Sequence, residues 1–463
     1  MTEQLKLKLN DSKATRWGAL VIVAFTMMAA YYVNDVVAPL KTMLETDLAW
    51  SSTDFGFFTG GYSFLNVFFL MLIWGGLILD RFGIRFTGKL ATILMVGGTA
   101  LEYYAMTGLA GADATLFGIN EIFGYKTGVF VAFAGYSIFG VGAEVAGITV
   151  SKIIAKWFKG KELATAMGVQ VALARIGSQA GYAVAIPLAR AFGISTPELL
   201  GLVLLLGGMI AFFIFAVMDK KLDKQMEAAA IAAGTEDEEE KFSFKDVKNI
   251  LVNPGFWLIA LLCVLFYSCV FPFQKFASEL MIIKYGINEN VAGTFAGLPA
   301  LGALILTPVF GGFIDKRGKS ASIMLLGSAM LICVHFIYAI PDINYWLVAI
   351  VLMIILGIAF SLVPSAMWPA VAKIFPVSQL GTAYALIFFI QNIGLWGIPT
   401  LIGWVLDAYC ISGKKPDGTN MYDYTVPMCI FTGIACLSLI VALLLKKADK
   451  KYGYKLEEPN IQK

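Results

Sequence analysis

Charge is scarce in this chain: only 14% of its 463 residues are Asp, Glu, Lys or Arg, where a soluble domain carries about 25%. So few charges cannot cover a surface facing water, and with 59% hydrophobic residues most of the surface must face something else. Histidine is nearly absent, His335 standing alone, and the six cysteines include no C-x-x-C pair. Metal-site spacing is therefore missing, as is any Ser-His or Cys-His constellation for an enzyme, and no cofactor is expected. A net charge of +3 is too small to call for nucleic acid. Cys410 and Cys429 lie near the ends of neighbouring apolar stretches, where packing is favoured over a disulfide. The 46 glycines and 15 prolines do not signal disorder, since both are more frequent in membrane helices than in soluble ones.

What is abundant is long apolar sequence. About 20 such residues cross a bilayer as a helix. Nearly charge-free stretches run over Trp17–Asn34, Phe55–Leu79, Leu90–Ala112, Thr127–Ser151, Leu163–Ala189 and Leu199–Met218. After a polar interval come Gly255–Gln274, Val291–Ile314, Ser320–Pro341, Ile343–Ala372, Leu380–Leu406 and Tyr424–Leu445. The expected fold is all-α, with twelve transmembrane helices in two six-helix bundles. Its parts are an N-terminus (1–16), a first bundle (17–218), a linker (219–254), a second bundle (255–446) and a tail (447–463). Lys and Arg concentrate in the loops on one side, as in Arg81, Arg85 and Lys89, in Lys152, Lys156, Lys159 and Lys161, and in Lys316, Arg317 and Lys319. Positive loops stay in the cytoplasm, which places both termini there. The linker carries an acidic run, Glu236–Glu240, read as solvated charge.

The two halves repeat. Gly76-Leu-Ile-Leu-Asp80-Arg81-Phe-Gly83-Ile-Arg85 follows the second stretch of the first half, and Gly311-Gly-Phe-Ile-Asp315-Lys316-Arg-Gly318-Lys319 follows that of the second. Both read G-x-x-x-D-[RK]-x-G plus a base. Glycine allows close helix approach, and the aspartate can cap a helix or pair with a neighbouring base. Such contacts suit a gate, with Asp80, Arg81, Arg85, Asp315 and Lys316 as its members. Phe158–Gly177 also aligns with Phe375–Gly394 without gaps, at an offset that sets Gly140 on Gly357, Glu144 on Ser361 and Arg175 on Asn392. The halves share a scaffold and differ where charge sits.

A charge at the bilayer centre costs roughly 2.5–3.5 kcal/mol, so each demands a reason. Counting from the basic ends of their helices, Glu144 lies about 18 Å deep and Arg175 about 21 Å. An acid and a base at matching depth near the midplane are where transporter sites form. A buried ion pair that only specifies packing is the rival reading, weakened because such pairs rarely offset their desolvation. Tyr31, Tyr32, Asn66, Tyr267, Gln391 and Asn392 reach similar depth and could bind solute, although for Tyr32, Tyr267 and Gln391 packing is as good an account. Asp35 stands higher on the first helix without an evident partner, and Lys275 is expected to snorkel to the outer interface.

The paired loops resemble the signature of the major facilitator superfamily. A narrower resemblance follows from Phe139-Gly-Val-Gly-Ala-Glu144, Trp157-Phe-Lys-Gly-Lys-Glu-Leu163, Ala174-Arg175-Ile-Gly-Ser178, Val270-Phe-Pro-Phe273, Trp368-Pro369 and Gln391-Asn392-Ile-Gly-Leu395. These strings are similar to the lysosomal dipeptide uniporters of that superfamily, from helix 1 to helix 11. The resemblance implies two pseudo-symmetric bundles, alternating access and dipeptide substrates, with Glu144, Arg175 and Asp35 contributing to binding. It also sets Glu102 and His335 on supporting helices, in paired structural roles. Lys275 departs from the small apolar residue more typical there. The N-terminus lacks an acidic dileucine sorting signal, which fits a bacterial inner membrane better than a lysosome. Expected partners are a small solute and the lipid bilayer, and the expected state is a monomer. Two other functions stay open: a carrier or proton symporter for an organic anion or sugar acid, and a non-transporting sensor. The helix 1 motif E-x-x-E-R of proton-coupled peptide symporters is missing around Tyr31–Asp35.

Overall fold

The computed structural model describes residues 8–111, 114–158, 161–233 and 244–459. Lys159 and the acidic run Glu236–Glu240 lie outside the described residues. The helices are α1 (Lys13–Val36), α2 (Lys41–Asp47), α3 (Ser52–Phe68), α4 (Met71–Thr107), α5 (Thr127–Trp157), α6 (Leu163–Phe192), α7 (Thr196–Ala233) and α8 (Phe244–Val252). The second half adds α9 (Pro254–Tyr285), α10 (Glu289–Ala296), α11 (Leu298–Arg317), α12 (Ser320–Ala339), α13 (Trp346–Ile374), α14 (Val377–Tyr409) and α15 (Thr425–Tyr452). Two short antiparallel hairpins, β1–β2 (Glu121–Ile122, Tyr125–Lys126) and β3–β4 (Ile411–Lys414, Asn420–Tyr422), lie between helices at one end of the molecule.

Among the described residues, nine helical segments are long and apolar enough to cross a membrane. The bent α3–α4 pair, taken as one span, makes ten. α4 is two helices in one, broken at Gly83, whose backbone is non-helical. The second span differs from its expected course: a break after Phe68 bends it by 58°, with Leu70 at φ 53°. α7 continues past Met218 to Ala233, so the linker begins as helix.

The internal repeat is visible in the packing. A Cβ on Gly140 of α5 would collide with the Tyr62 backbone of α3, and one on its counterpart Gly357 of α13 would press on Pro299 of α11. Gly177 of α6 lies against the Met28 backbone of α1, and Gly394 of α14 against Ser268 of α9. Each repeated glycine thus serves the same helix pair in its own half. Between halves, α3 packs on α14 and α6 on α10 and α11.

The bonds tying the halves together gather at the end that carries the hairpins. Lys41 donates to Glu279 at 2.5 Å, and Tyr424 to the same carboxylate at 2.5 Å. The backbone amides of Ser52 and Thr53 donate to Asp407 at 3.3 and 2.6 Å, and Arg190 pairs with Glu289. At the opposite end, Lys156 instead reaches Asp219 and Asp223 within its own half, at 2.8 and 2.5 Å. One end is locked.

Candidate functional site

α5 and α6 are joined by a short turn but do not form a tight pair. α5 packs on α3 and α4, while α6 packs on α1. Glu144 and Arg175 are therefore separated, and the ion pair weighed from sequence does not form. Glu144 accepts from the Tyr62 hydroxyl at 3.0 Å. Arg175 sits with its guanidinium 5.5 Å from the Tyr31 ring and 4.8 Å from that of Phe360, across the divide. Tyr31 is within electrostatic reach of both Glu144 and Arg175, and all three are half-buried. Among the described residues, no carboxylate pairs with Arg175. Behind Phe360, Tyr267 and Phe271 stack at 5.5 Å, and both rings meet Phe360. The candidate site thus has a cation beside aromatic rings and a carboxylate held by a tyrosine.

Asp35 is not partnerless. It accepts from Ser178 at 2.6 Å, from Asn34 at 2.8 Å and from Lys275 at 3.4 Å. Lys275 therefore does not snorkel: its chain is 9% exposed, and it also donates to the Asn34 carbonyl at 2.5 Å and to Tyr136 at 3.3 Å. The geometry explains the difference. Position 275 lies where its nearest oxygen is the Asn34 carbonyl of the other half, with the Asp35 carboxylate beyond it, rather than a headgroup.

Other expected residues fall in two groups. Asn66 is buried with neither amide atom bonded, and Asn392 donates to the Phe388 carbonyl at 2.9 Å while its own oxygen stays unpartnered. Such polar atoms are costly unless something occupies them. Gln391 accepts from Cys263 at 3.4 Å, and Tyr32 donates to the Pro197 carbonyl at 3.2 Å. His335 bonds the Cys269 carbonyl at 3.0 Å and stacks on Phe431, a structural role as expected. Glu102 is not paired: both its oxygens lack a partner. All six cysteines are free.

The repeated loops use their glycines differently from expectation. A Cβ on Gly76 or Gly311 would touch nothing within 4 Å, so neither serves close helix approach. Their last glycines matter instead: Gly83 and Gly318 have φ of 75° and 69°, a left-handed turn that glycine adopts without steric cost. Asp80 pairs with Lys152 at 3.1 Å and Arg85 with Asp223 at 2.7 Å, both within the first half. Arg81 lies over the Phe82 ring, and Asp315 and Lys316 end α11. We expect Asp80→Asn to slow solute exchange several-fold while leaving equilibrium affinity within about twofold, because the contact biases states without touching solute. Loss of binding with normal maximal flux would refute that assignment.

Sequence reading missed Tyr62 as a site residue, although it stands one helical turn from Asn66. Phe360 gave no signal beyond its aromatic ring. Ser178 could have been found, three residues from Arg175 and on the turn facing α1.

The Major Facilitator Superfamily model matches residues 20–399 and again 276–458. The lysosomal dipeptide transporter MFSD1 of Homo sapiens is 29% identical over 454 residues, covering 95% of this chain and 88% of that one. The protein of the same name from Danio rerio is 26% identical, covering 93% and 86%. Among solved structures, the nucleoside transporter NupG superposes with a TM-score of 0.68 at 12% identity, covering 92% of this chain and 98% of the other. A bacterial homolog of the human lysosomal transporter Spinster, inward-facing and unoccupied, gives 0.62 at 14%, covering 98% and 99%.

Proposed function

Because the chain belongs to the Major Facilitator Superfamily, and is thus a multi-pass membrane transporter and not an enzyme, we propose that it carries dipeptides by alternating access, as a uniporter. The observation that supports this is that Arg175 and Glu144 do not pair with each other, yet both lie within electrostatic reach of Tyr31. A dipeptide zwitterion offers a carboxylate for the guanidinium fork and an ammonium for the Tyr62–Glu144 pair. The unbonded amide of Asn66 and the unpartnered amide oxygen of Asn392 are groups of the kind that read a peptide bond. MFSD1 proteins that cover most of the chain are named as dipeptide transporters, which favours the same reading.

On this reading Asp35 belongs to the outer gate with Lys275, and the locked end faces outward. Residues 17–218 and 255–446 form the two moving bodies, joined by the linker, with the chain lodged as a monomer in a bacterial inner membrane. A cysteine at Lys414 in the β3–β4 hairpin should then be labelled from outside intact cells. Gly234 and Asp113, which would report on the linker and the second outer loop, lie outside the described residues.

The deciding experiment is a thermal-shift screen of the purified protein against dipeptides, amino acids, sugars and organic acids, since a ligand of the folded state raises Tm. Stabilisation by sugar acids and not by dipeptides would overturn the substrate class. Glu144→Gln should weaken free dipeptides more than N-acetylated ones, which lack the ammonium. In proteoliposomes, counterflow should proceed without an ion gradient. Accumulation driven by a proton gradient and abolished by Asp35→Asn would replace uniport with symport.

A further inference from the structure

Two carboxyls stand behind the proposed outer lock, apart from the candidate solute site. Glu102 on α4 and Glu198 in the first turn of α7 are each 0% exposed, and none of their four oxygens has a hydrogen-bond partner. They are within electrostatic reach of each other, Glu198 acting on Glu102 ahead of any other charge. The Glu102 chain packs over α5, where a Cβ on Gly135 would sit 3.0 Å from its Cγ. The titratable groups facing the pair are Tyr32 of α1, Tyr136 of α5 and Lys275 of α9. Asp35 of α1 and Tyr182 of α6 lie next to these, around Tyr136. Lys275 is the cation acting on Glu102, and its ammonium is already bonded to Asp35.

A buried carboxylate with neither hydrogen bonds nor a cation of its own takes up a proton rather than remain charged. Two within electrostatic reach disfavour each other's charged form, so their titrations are linked. We propose that Glu102 and Glu198 form a proton-binding site, loaded while the outer end is locked and emptied to the outer medium when it opens. Tyr136 connects the two features. It neighbours Gly135 in sequence, and its hydroxyl donates to Asn34 at 2.9 Å while accepting from Lys275. Withdrawal of α9 removes Lys275 from Tyr136 and lets water reach the carboxyls behind it. The proton leaves and returns on the same side, so no net proton crosses with solute and downhill transport is preserved.

The locked state binds more protons than the open one, so acid favours the lock and alkali favours opening. Protonation of Asp35 would act in the opposite sense, by weakening its pair with Lys275, so the sign of the pH effect separates the two. The experiment is a spin-label distance measurement on the full chain in liposomes without solute, which keeps it independent of the dipeptide reading. Labels go on cysteines at Phe192 and Tyr345, both exposed near the outer end, with the native cysteines replaced. Between about pH 5 and pH 8 the long-distance population should grow several-fold, and the Glu102→Gln/Glu198→Gln double variant should lose that response. An unchanged response in the double variant, no response in the parent, or opening in acid would each overturn the proposal. Should the double variant misfold, the infrared spectrum of the parent decides: a protonated-carboxyl band present at neutral pH and lost in Glu102→Gln supports the site, and its absence refutes it.

Discussion

Lys275→Ala is expected to raise the outward-open fraction by about two to three orders of magnitude. Removing one partner of a buried ion pair costs about 3–5 kcal/mol, because the other charge is left uncompensated. Asp35 would keep only Asn34 and Ser178 as donors. The loss falls on the locked state alone, since opening rehydrates Asp35. Adding Asp35→Asn should restore much of the parental balance, as no charge is then stranded. A double-mutant cycle on outer-end distances measures the coupling directly. If both single variants and the double keep the parental distribution, the pair is no lock.

Arg175→Lys is the second large effect. An ammonium loses both the bidentate fork and the planar stacking surface. Arg175 meets rings from both halves, Tyr31 and Phe360, so the change also weakens a contact that joins them. We expect dipeptide affinity to fall by about a hundredfold, combining a lost charge-assisted bond with a cation–π contact of roughly 0.5–2 kcal/mol. Stability should hardly change, because among the described residues no carboxylate is stranded by the substitution. Calorimetric titration of the two proteins is sufficient, and equal affinities would remove Arg175 from the site. Phe360→Leu should cost less, about tenfold, through the stacking contribution alone.

Much of the architecture was readable because hydrophobic length and a glycine-marked repeat are local properties of a sequence. The offset that set Gly140 on Gly357 reappears as the same helix pairing in each half. What sequence could not supply was azimuth. Depth along a helix follows from counting residues, but the direction a side chain points depends on which neighbour the helix packs against. Glu144 and Arg175 match in depth and still miss each other, because α6 leans on α1. Lys275 and Asp35 are 240 positions apart, and only the approach of α9 to α1 joins them. Glu198 escaped notice for another reason: it stands just before an apolar stretch, where a carboxylate ordinarily reaches water, yet here its own side chain is buried while Leu199 beside it is exposed.

The one-ended distribution of bonds between the halves has a kinetic consequence. On the proposed orientation and uniport, an empty carrier held shut on the outside spends little time ready to receive solute there, and apparent affinity falls by the fraction that is competent. Half-saturation should then be poorer for entry than for exit. For a passive carrier the ratio of maximal rate to half-saturation must nevertheless be equal in both directions, since no work is done at equilibrium. Entry therefore compensates its weak saturation with a higher ceiling. Strengthening the lock turns such a protein into a scavenger tuned to plentiful solute outside, and loosening it makes the two faces kinetically alike.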